Sequence, residues 1–324
     1  MNVTRRDFGR LAAAGLSAAA IAPRSLFAQG KPNSKINGVQ IGVISYSYRA
    51  MKPFDALSCL RYAVEDGINT MELENVQELW AGMPAPPPFQ RPAPGAAPDP
   101  EAREKYRAAQ AAHAEELTKW RTTMDVNKYK ELRKLYADAG VSIYAFKITL
   151  TERMPDAEYD YAFQAARNCG ADHLTMEMPD DKPALTARIA KFGEKYKLRM
   201  GYHAHTQAKP TTWDEALAQS PWNAINLDIG HYTAAGNKDT IDFIKKHHDR
   251  ITSMHVKDRK LPEGGGVNMP LGEGDTPIKD VLQLIKKENY TFPATIEMEY
   301  KVPDDSDAVK EVAKCYAYIK TCLA

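Results

Sequence analysis

Four short apolar runs in the second half of the chain each end in a side chain that binds divalent metal ions. They are Glu177 in HLTMEM (173–178), Asp228 in INLDIGH (225–231), His255 in ITSMHVKD (251–258) and Glu297 in PATIEMEY (293–300). Three carboxylates and one imidazole are hard to intermediate ligands, suited to Mn²⁺, Co²⁺, Mg²⁺ or Zn²⁺ with coordination positions left for substrate oxygens. Strand residues two apart share a face. That rule joins other reactive side chains to the same ends: Glu72 with Glu74, Thr175 with Glu177, His203 with His205, Asn226 with Asp228, Ser253 and His255 with Lys257, and Glu297 with Glu299. Glu297 and Glu299 point the same way, so either could be the ligand of its strand. His203 and His205 could ligate metal, contact substrate hydroxyls or relay protons. Lys257 is suited to stabilising an oxyanion or to an ion pair, and Asp258 adds charge and orientation beside it. His231 should sit just above Asp228. Buried together without partners, so many charges would be prohibitive, and a bound dication offsets several carboxylates at once.

The elements that must hold these residues alternate in type. Eight β-type runs occur at 39–47, 67–73, 141–148, 171–178, 198–205, 224–231, 250–257 and 293–300. Helix-like segments lie at 53–66, 125–139, 156–168, 182–196, 212–218, 239–247, 277–288 and 305–323. Gly67, Gly140 and Gly170 supply stops before the next strand. Eight strand–helix repeats predict an α/β fold, a (β/α)₈ TIM barrel whose catalytic mouth is at the C-terminal ends of its strands. His113, His247 and His248 fall on the predicted helices and are expected in solvent. An insertion at 80–124 interrupts the rhythm after the second strand. Its 84–100 part is rich in Pro and Ala, and its 101–121 part is helix-forming. Insertions at the mouth serve as lids, oligomer contacts or plain decoration. The Gly-rich stretch 264–280 lacks the Lys-Ser/Thr ending of a phosphate loop and reads as a flexible seventh strand-to-helix loop.

The chain has 324 residues, 43 Lys and Arg against 42 Asp and Glu, and a formal charge of +1. That balance argues against nucleic acid and membrane surfaces as partners. The four cysteines form no CxxC pair and read as buried thiols. The first 28 residues carry Arg5–Arg6, then an Ala-rich stretch and a small residue, Ala28. This is the pattern of a twin-arginine (Tat) export signal, which implies a periplasmic or secreted protein with the barrel at 38–324.

The series GYHAHTQ, INLDIGHYTAAG, DRITSMHVKDRK, PLGEGDTPIKDVL and TIEMEY resembles the xylose isomerase-like TIM-barrel superfamily, in the sugar phosphate isomerase/epimerase branch with its inosose dehydratase relatives. The resemblance implies metal ligands at Glu177, Asp228, His255 and Glu297. It also implies that Glu177 and Glu297 flank a carbohydrate, one removing the proton beside a carbonyl and the other returning it to the opposite face. His203 and Lys257 join them as catalytic candidates, with His205, His231, Glu299 and Arg259 on the substrate. The fifth strand ends in HAH where sugar epimerases of the superfamily carry an acidic pattern. With the export signal, this shifts the expectation toward a metal-dependent isomerase, epimerase or carbon–oxygen lyase on an oxidised sugar such as a 3-keto-glycoside, in a chain that could form a homo-oligomer. The alternatives are a non-catalytic sugar-binding barrel and, more remotely, an endonuclease IV-like nuclease, which would require more histidines and a basic face.

Overall fold

The computed structural model describes residues 30–88 and 99–324. The export-type segment lies outside these. A short strand β1 (Lys35–Ile36) pairs antiparallel with β2 (Val39–Ile44). From β2 the barrel continues through β3 (Thr70–Glu74), β4 (Ser142–Lys147), β5 (His173–Glu177), β6 (Arg199–His203), β7 (Asn223–Asp228), β8 (Ile251–Val256) and, after a hairpin described below, β11 (Ala294–Ile296). Each neighbour pair is parallel, and β2 pairs with both β11 and β3, so the sheet closes into a (β/α)₈ TIM barrel. Every apolar run singled out in the sequence overlaps one of these strands, with Glu74 of β3 and Asn223 of β7 falling one residue outside.

The helices are α1 (Ala56–Glu65), α2 (Val76–Ala81), α3 (Pro100–Thr123), α4 (Lys128–Asp138), α5 (Asp156–Cys169), α6 (Pro183–Tyr196), α7 (Asp214–Gln219), α8 (Ile229–Ala234), α9 (Thr240–His247), α10 (Ile278–Glu288) and α11 (Ala308–Leu323). Side-chain caps begin α1 and α11: Asp55 accepts from the Ser58 amide at 2.8 Å and Asp307 from the Lys310 amide at 2.9 Å. Gly170, at φ +81°, ends α5 in the left-handed conformation that a side chain would strain. Leu174, Met176, Leu227, Met254 and Val256 alternate with polar residues along their strands and fill the buried apolar core. All four cysteines are buried free thiols.

The interior is polar where apolar layers are usual in this architecture. Glu72 lies at its centre. Its carboxylate accepts from Thr175 Oγ1 at 2.5 Å, Tyr144 Oη at 3.2 Å and His255 Nε2 at 2.8 Å. Tyr144 reaches across to Thr295, and Gly42 leaves room for it, since a Cβ there would stand 3.2 Å from the ring.

The insertion begins after the short helix α2. Asp99 caps α3 through the amides of Glu101 and Ala102. Most of this 24-residue helix is exposed, and Arg121 is its one buried residue. That guanidinium grips both Glu78 oxygens at 3.0 and 3.1 Å and Glu158 at 3.1 Å. Trp120 sets its edge against Tyr161 at 5.7 Å. The helix is thus tied at its C-terminal end to α2 and α5. His247 departs from its sequence reading: it is buried against Phe243, with ring centroids 4.6 Å apart.

Removing one partner from a buried ion cluster strands the others in low dielectric. Arg121→Met should therefore lower the unfolding free energy by roughly 3–5 kcal/mol, measured by urea denaturation. Replacing Glu78 and Glu158 with Gln in the same chain should recover much of that loss.

Candidate active site

Strand β7 ends at Asp228, which performs two tasks. Its Oδ1 accepts from the His231 amide at 2.7 Å and starts α8. Its Oδ2 is buried with no hydrogen-bond partner, although the Lys257 ammonium stands 3.1 Å away. Gly230 lets this turn press against the next strand, because a Cβ there would meet the Lys257 carbonyl oxygen at 2.6 Å. From β8, His255 is held at both ring nitrogens, by Glu72 at Nε2 and by Glu297 at Nδ1, each at 2.8 Å. Glu297 follows the last residue of β11 and also contacts Lys257 at 2.9 Å.

From β6, His203 Nδ1 donates to Asn226 Oδ1 at 2.8 Å, and Asn226 donates onward to Ser253 at 2.7 Å. The amide orientation puts the imidazole proton on Nδ1 and leaves the Nε2 lone pair bare. His203, Asp228, His255 and Glu297 each offer a ligand atom within 4.8 Å of the others, and all four are buried. Two imidazoles, two carboxylates and the unpartnered Asp228 Oδ2 fit a divalent cation. The Glu72 contact to His255 Nε2 is the carboxylate support that metal-binding histidines carry on their far nitrogen.

Glu177 lies outside this group of four, unlike its sequence reading as a ligand. Its carboxylate turns to Lys147 at 2.9 Å and His205 at 3.3 Å, and its side chain is 40% exposed against 6% for Glu297. His203 occupies the fourth place in the group. Of Glu297 and Glu299, Glu297 joins the cluster, while Glu299 contacts Lys257 at 2.7 Å. Lys257 therefore faces three carboxylates and the His231 ring at 3.0 Å.

A cavity of about 200 Å³ opens here, lined by Tyr46, Glu74, Lys147, Glu177, His205, His231, Lys257, Glu297 and Glu299. A second recess, about 370 Å³, lies at the starts of β6 and β8 beside Arg199, Asp249 and Tyr290 and shares none of these residues. Arg259, assigned to the substrate from sequence, does not line the cavity; it is held by the Gly266 carbonyl and by His231 Nδ1 at 2.5 Å. Nor is the seventh loop loose. β9 (Asp258–Arg259) and β10 (Asn268–Met269) form a hairpin, and Asp258 accepts from three loop amides. Glu72, Lys147 and Tyr46 gained no role from sequence. The period-two rule had marked Glu72, and Lys147 closes its strand, whereas Tyr46 carried no signal.

The electrostatics follow from burial and pairing. Burial would depress His255, but Glu297 and Glu72 outweigh it and push it up to about 10. Burial would raise Glu72, but His255 and Lys147 hold it down at about 2. His203 is pushed down to about 4 by burial and by nearby positive charge. His231 falls to about 3, again from burial, with Lys257 adding to the shift against Asp228. Glu177 sits below the usual carboxylate range; burial opposes this, and His203, Lys147 and His205 overcome it. At neutral pH the wall opposite the cluster thus carries an ionised carboxylate beside an ammonium. Loading a cation on His255 Nδ1 must displace its proton.

Glu72→Gln keeps the shape beneath His255 but removes the charge that orients and polarises its ring. Cation affinity should fall about 10–100-fold, read by titrating metal-free protein with Co²⁺ and following its visible absorption.

A family model described as "Xylose isomerase-like TIM barrel" matches residues 101–319. No curated protein matches the chain. Solved structures share the fold at low identity. The probable 3-DHS dehydratase AsbF of Bacillus anthracis, involved in petrobactin synthesis, is 13% identical with TM-score 0.58, covering 87% of this chain and 99% of its own. The IolI protein with a bound zinc atom is 10% identical with TM-score 0.59, covering 87% and 98%. An L-ribulose 3-epimerase is 13% identical with TM-score 0.58, covering 88% and 94%. With its model matching well over half of the residues, this chain belongs to the xylose isomerase-like TIM-barrel family.

Proposed function

We propose that the protein is a divalent-metal-dependent enzyme that moves a proton at the carbon beside a carbonyl of a carbohydrate, as an isomerase, an epimerase or a carbon–oxygen lyase. The observation that carries this reading is the division of the mouth. One wall holds a buried group of metal-type ligands, His203, Asp228, His255 and Glu297. The other presents Glu177, an ionised carboxylate with partial exposure, between Lys147 and His205. The zinc bound by IolI and the dehydratase and epimerase activities named for the other relatives support it. The reading includes export, on the twin-arginine pattern at the N-terminus.

A bound dication would polarise the substrate carbonyl. The chain's own residues do the rest. Glu177, held by Lys147 and His205, takes the proton from the adjacent carbon, and the electron pair passes to the carbonyl oxygen. Glu297 faces the cavity from the opposite strand. Its partners Lys257 and His255 hold it far below the usual carboxylate range against the opposing effect of burial. A proton returned from that side, given up by the Lys257 ammonium that pairs with Glu297 at 2.9 Å, inverts the carbon; loss of a β-oxygen substituent instead gives elimination. The Lys257 ammonium and the His231 ring border the same cavity and are placed to hold substrate oxygens. A barrel that only binds sugar would not require an ionised base opposite a cation site.

The test is deuterium incorporation in D₂O across sugars, keto-sugars and inososes, with Mn²⁺, Co²⁺ or Mg²⁺ supplied. The label is expected alpha to the carbonyl. Glu177→Gln should lower that exchange by about 10²–10⁴ while its bound metal, counted by elemental analysis, stays equal to wild type; Asp228→Asn should lose the metal. Absence of label across the panel would remove the proton-transfer reading, and loss of metal in Glu177→Gln would return Glu177 to the ligand set.

A further inference from the structure

The seventh strand-to-helix loop is closed around a carboxylate of the chain itself. Asp258 is buried and directly follows Lys257, whose side chain lines the cavity. Its Oδ2 accepts from the Gly272 amide at 2.8 Å and the Gly274 amide at 2.9 Å, and its Oδ1 from the Thr276 amide at 3.2 Å. Converging amides of a glycine-rich turn are what proteins use to hold phosphate. Here all three are taken. The fit is close: a Cβ on Gly274 would stand 2.0 Å from Asp258 Oδ1, and one on Gly272 would stand 2.5 Å from the Tyr318 ring. The turn leaves an external anion no place beside Asp258.

The nearby cations are occupied as well. Arg259 gives Nε to the Gly266 carbonyl at 2.9 Å and Nη1 to His231. Lys260 donates to the Glu273 carbonyl at 2.6 Å and pairs with Asp275 at 3.6 Å. The cavity lining itself holds four glutamates against two lysines. One dication would balance that excess, and Asp228 behind it leaves the site negative. A phosphate or carboxylate entering this mouth meets a lining of net negative charge, whereas uncharged hydroxyls and carbonyls meet donors and acceptors without that repulsion.

We propose that Asp258 closes the seventh loop to anions and that the site selects an uncharged sugar over a phosphate ester or a sugar acid. The word sugar rests on the reading under Proposed function; the exclusion of anions rests on Asp258 and the lining charges alone.

Calorimetric titration of metal-loaded wild-type protein and Asp258→Ser with inorganic phosphate, D-fructose 6-phosphate and D-fructose tests this. Wild type should show no phosphate binding up to about 10 mM, and the ester should bind no more tightly than the free sugar. Asp258→Ser frees three amides and should bind phosphate at least about tenfold more tightly than wild type. Sub-millimolar binding of phosphate or the ester by wild type would overturn the proposal. So would a folded Asp258→Ser, judged by circular dichroism, with no gain in phosphate affinity. If that variant does not fold, the wild-type titration decides. The titration requires no turnover, so failure of every neutral sugar to exchange deuterium would remove the functional reading and leave this one standing.

Discussion

Six carboxylates crowd one end of this barrel, and the arrangement depends on how their charge is met. Glu72, Asp228 and Glu297 are almost wholly buried, and Glu74, Glu177 and Glu299 ring the cavity above them. Left alone, such a group would neutralise or push the strands apart. His255 answers Glu72 and Glu297, Lys257 answers Asp228, Glu297 and Glu299, and Lys147 answers Glu74 and Glu177. The polar interior is the continuation of this pairing downward. Thr175 and Tyr144 complete Glu72, while Asn226 and Ser253 connect His203 to His173. A barrel filled with Leu and Val could not orient His255 from below. The loss of apolar layers is thus a consequence of the chemistry at the mouth.

The fold was legible because it repeats. Period-two runs alternating with helical segments recur eight times, and each boundary glycine acts within its own few residues. The grouping of candidate ligands was legible where a side chain's direction follows from its strand alone, as for Asp228 and His255. It was not legible where the direction depends on a partner elsewhere in the fold. Glu177 shares the barrel-facing side of β5, yet Lys147, from the neighbouring strand, draws its carboxylate away from the ligand group. The anchor of the insertion hid for the same reason, since Arg121 finds Glu78 and Glu158 at separations of 43 and 37 residues. Helix α8 escaped because IGHYTA continues an apolar strand run with no break. What starts it is the Asp228 side chain, counted until then only as a ligand.

Loop order follows the same logic of occupied partners. A glycine-rich stretch read alone suggests motion, because glycine tolerates many conformations. Gly272, at φ +95°, uses that freedom for a fixed purpose: it brings an amide to Asp258. The glycines let backbone approach a carboxylate closely, and that approach orders the loop.

Proton counting then limits the donors of the mouth. The Lys257 ammonium has three protons and four neighbours: Asp228, Glu297, Glu299 and His231 Nε2. His231 is neutral, since burial foremost, with Lys257 beside it, holds it down at about 3. A neutral imidazole accepts at one nitrogen only. Nδ1 already accepts from the Arg259 guanidinium, which has no deprotonated form in proteins. The Lys257 ammonium stands 3.0 Å from Nε2, so two cationic donors meet one neutral ring that can accept from only one of them. Lys257 pairs with Glu297 and Glu299 at 2.9 and 2.7 Å, while Asp228 Oδ2 takes no hydrogen bond from it and is left for a cation. Arg259, which does not itself line the cavity, holds the His231 ring from behind. This explains how a residue outside the pocket belongs to its chemistry.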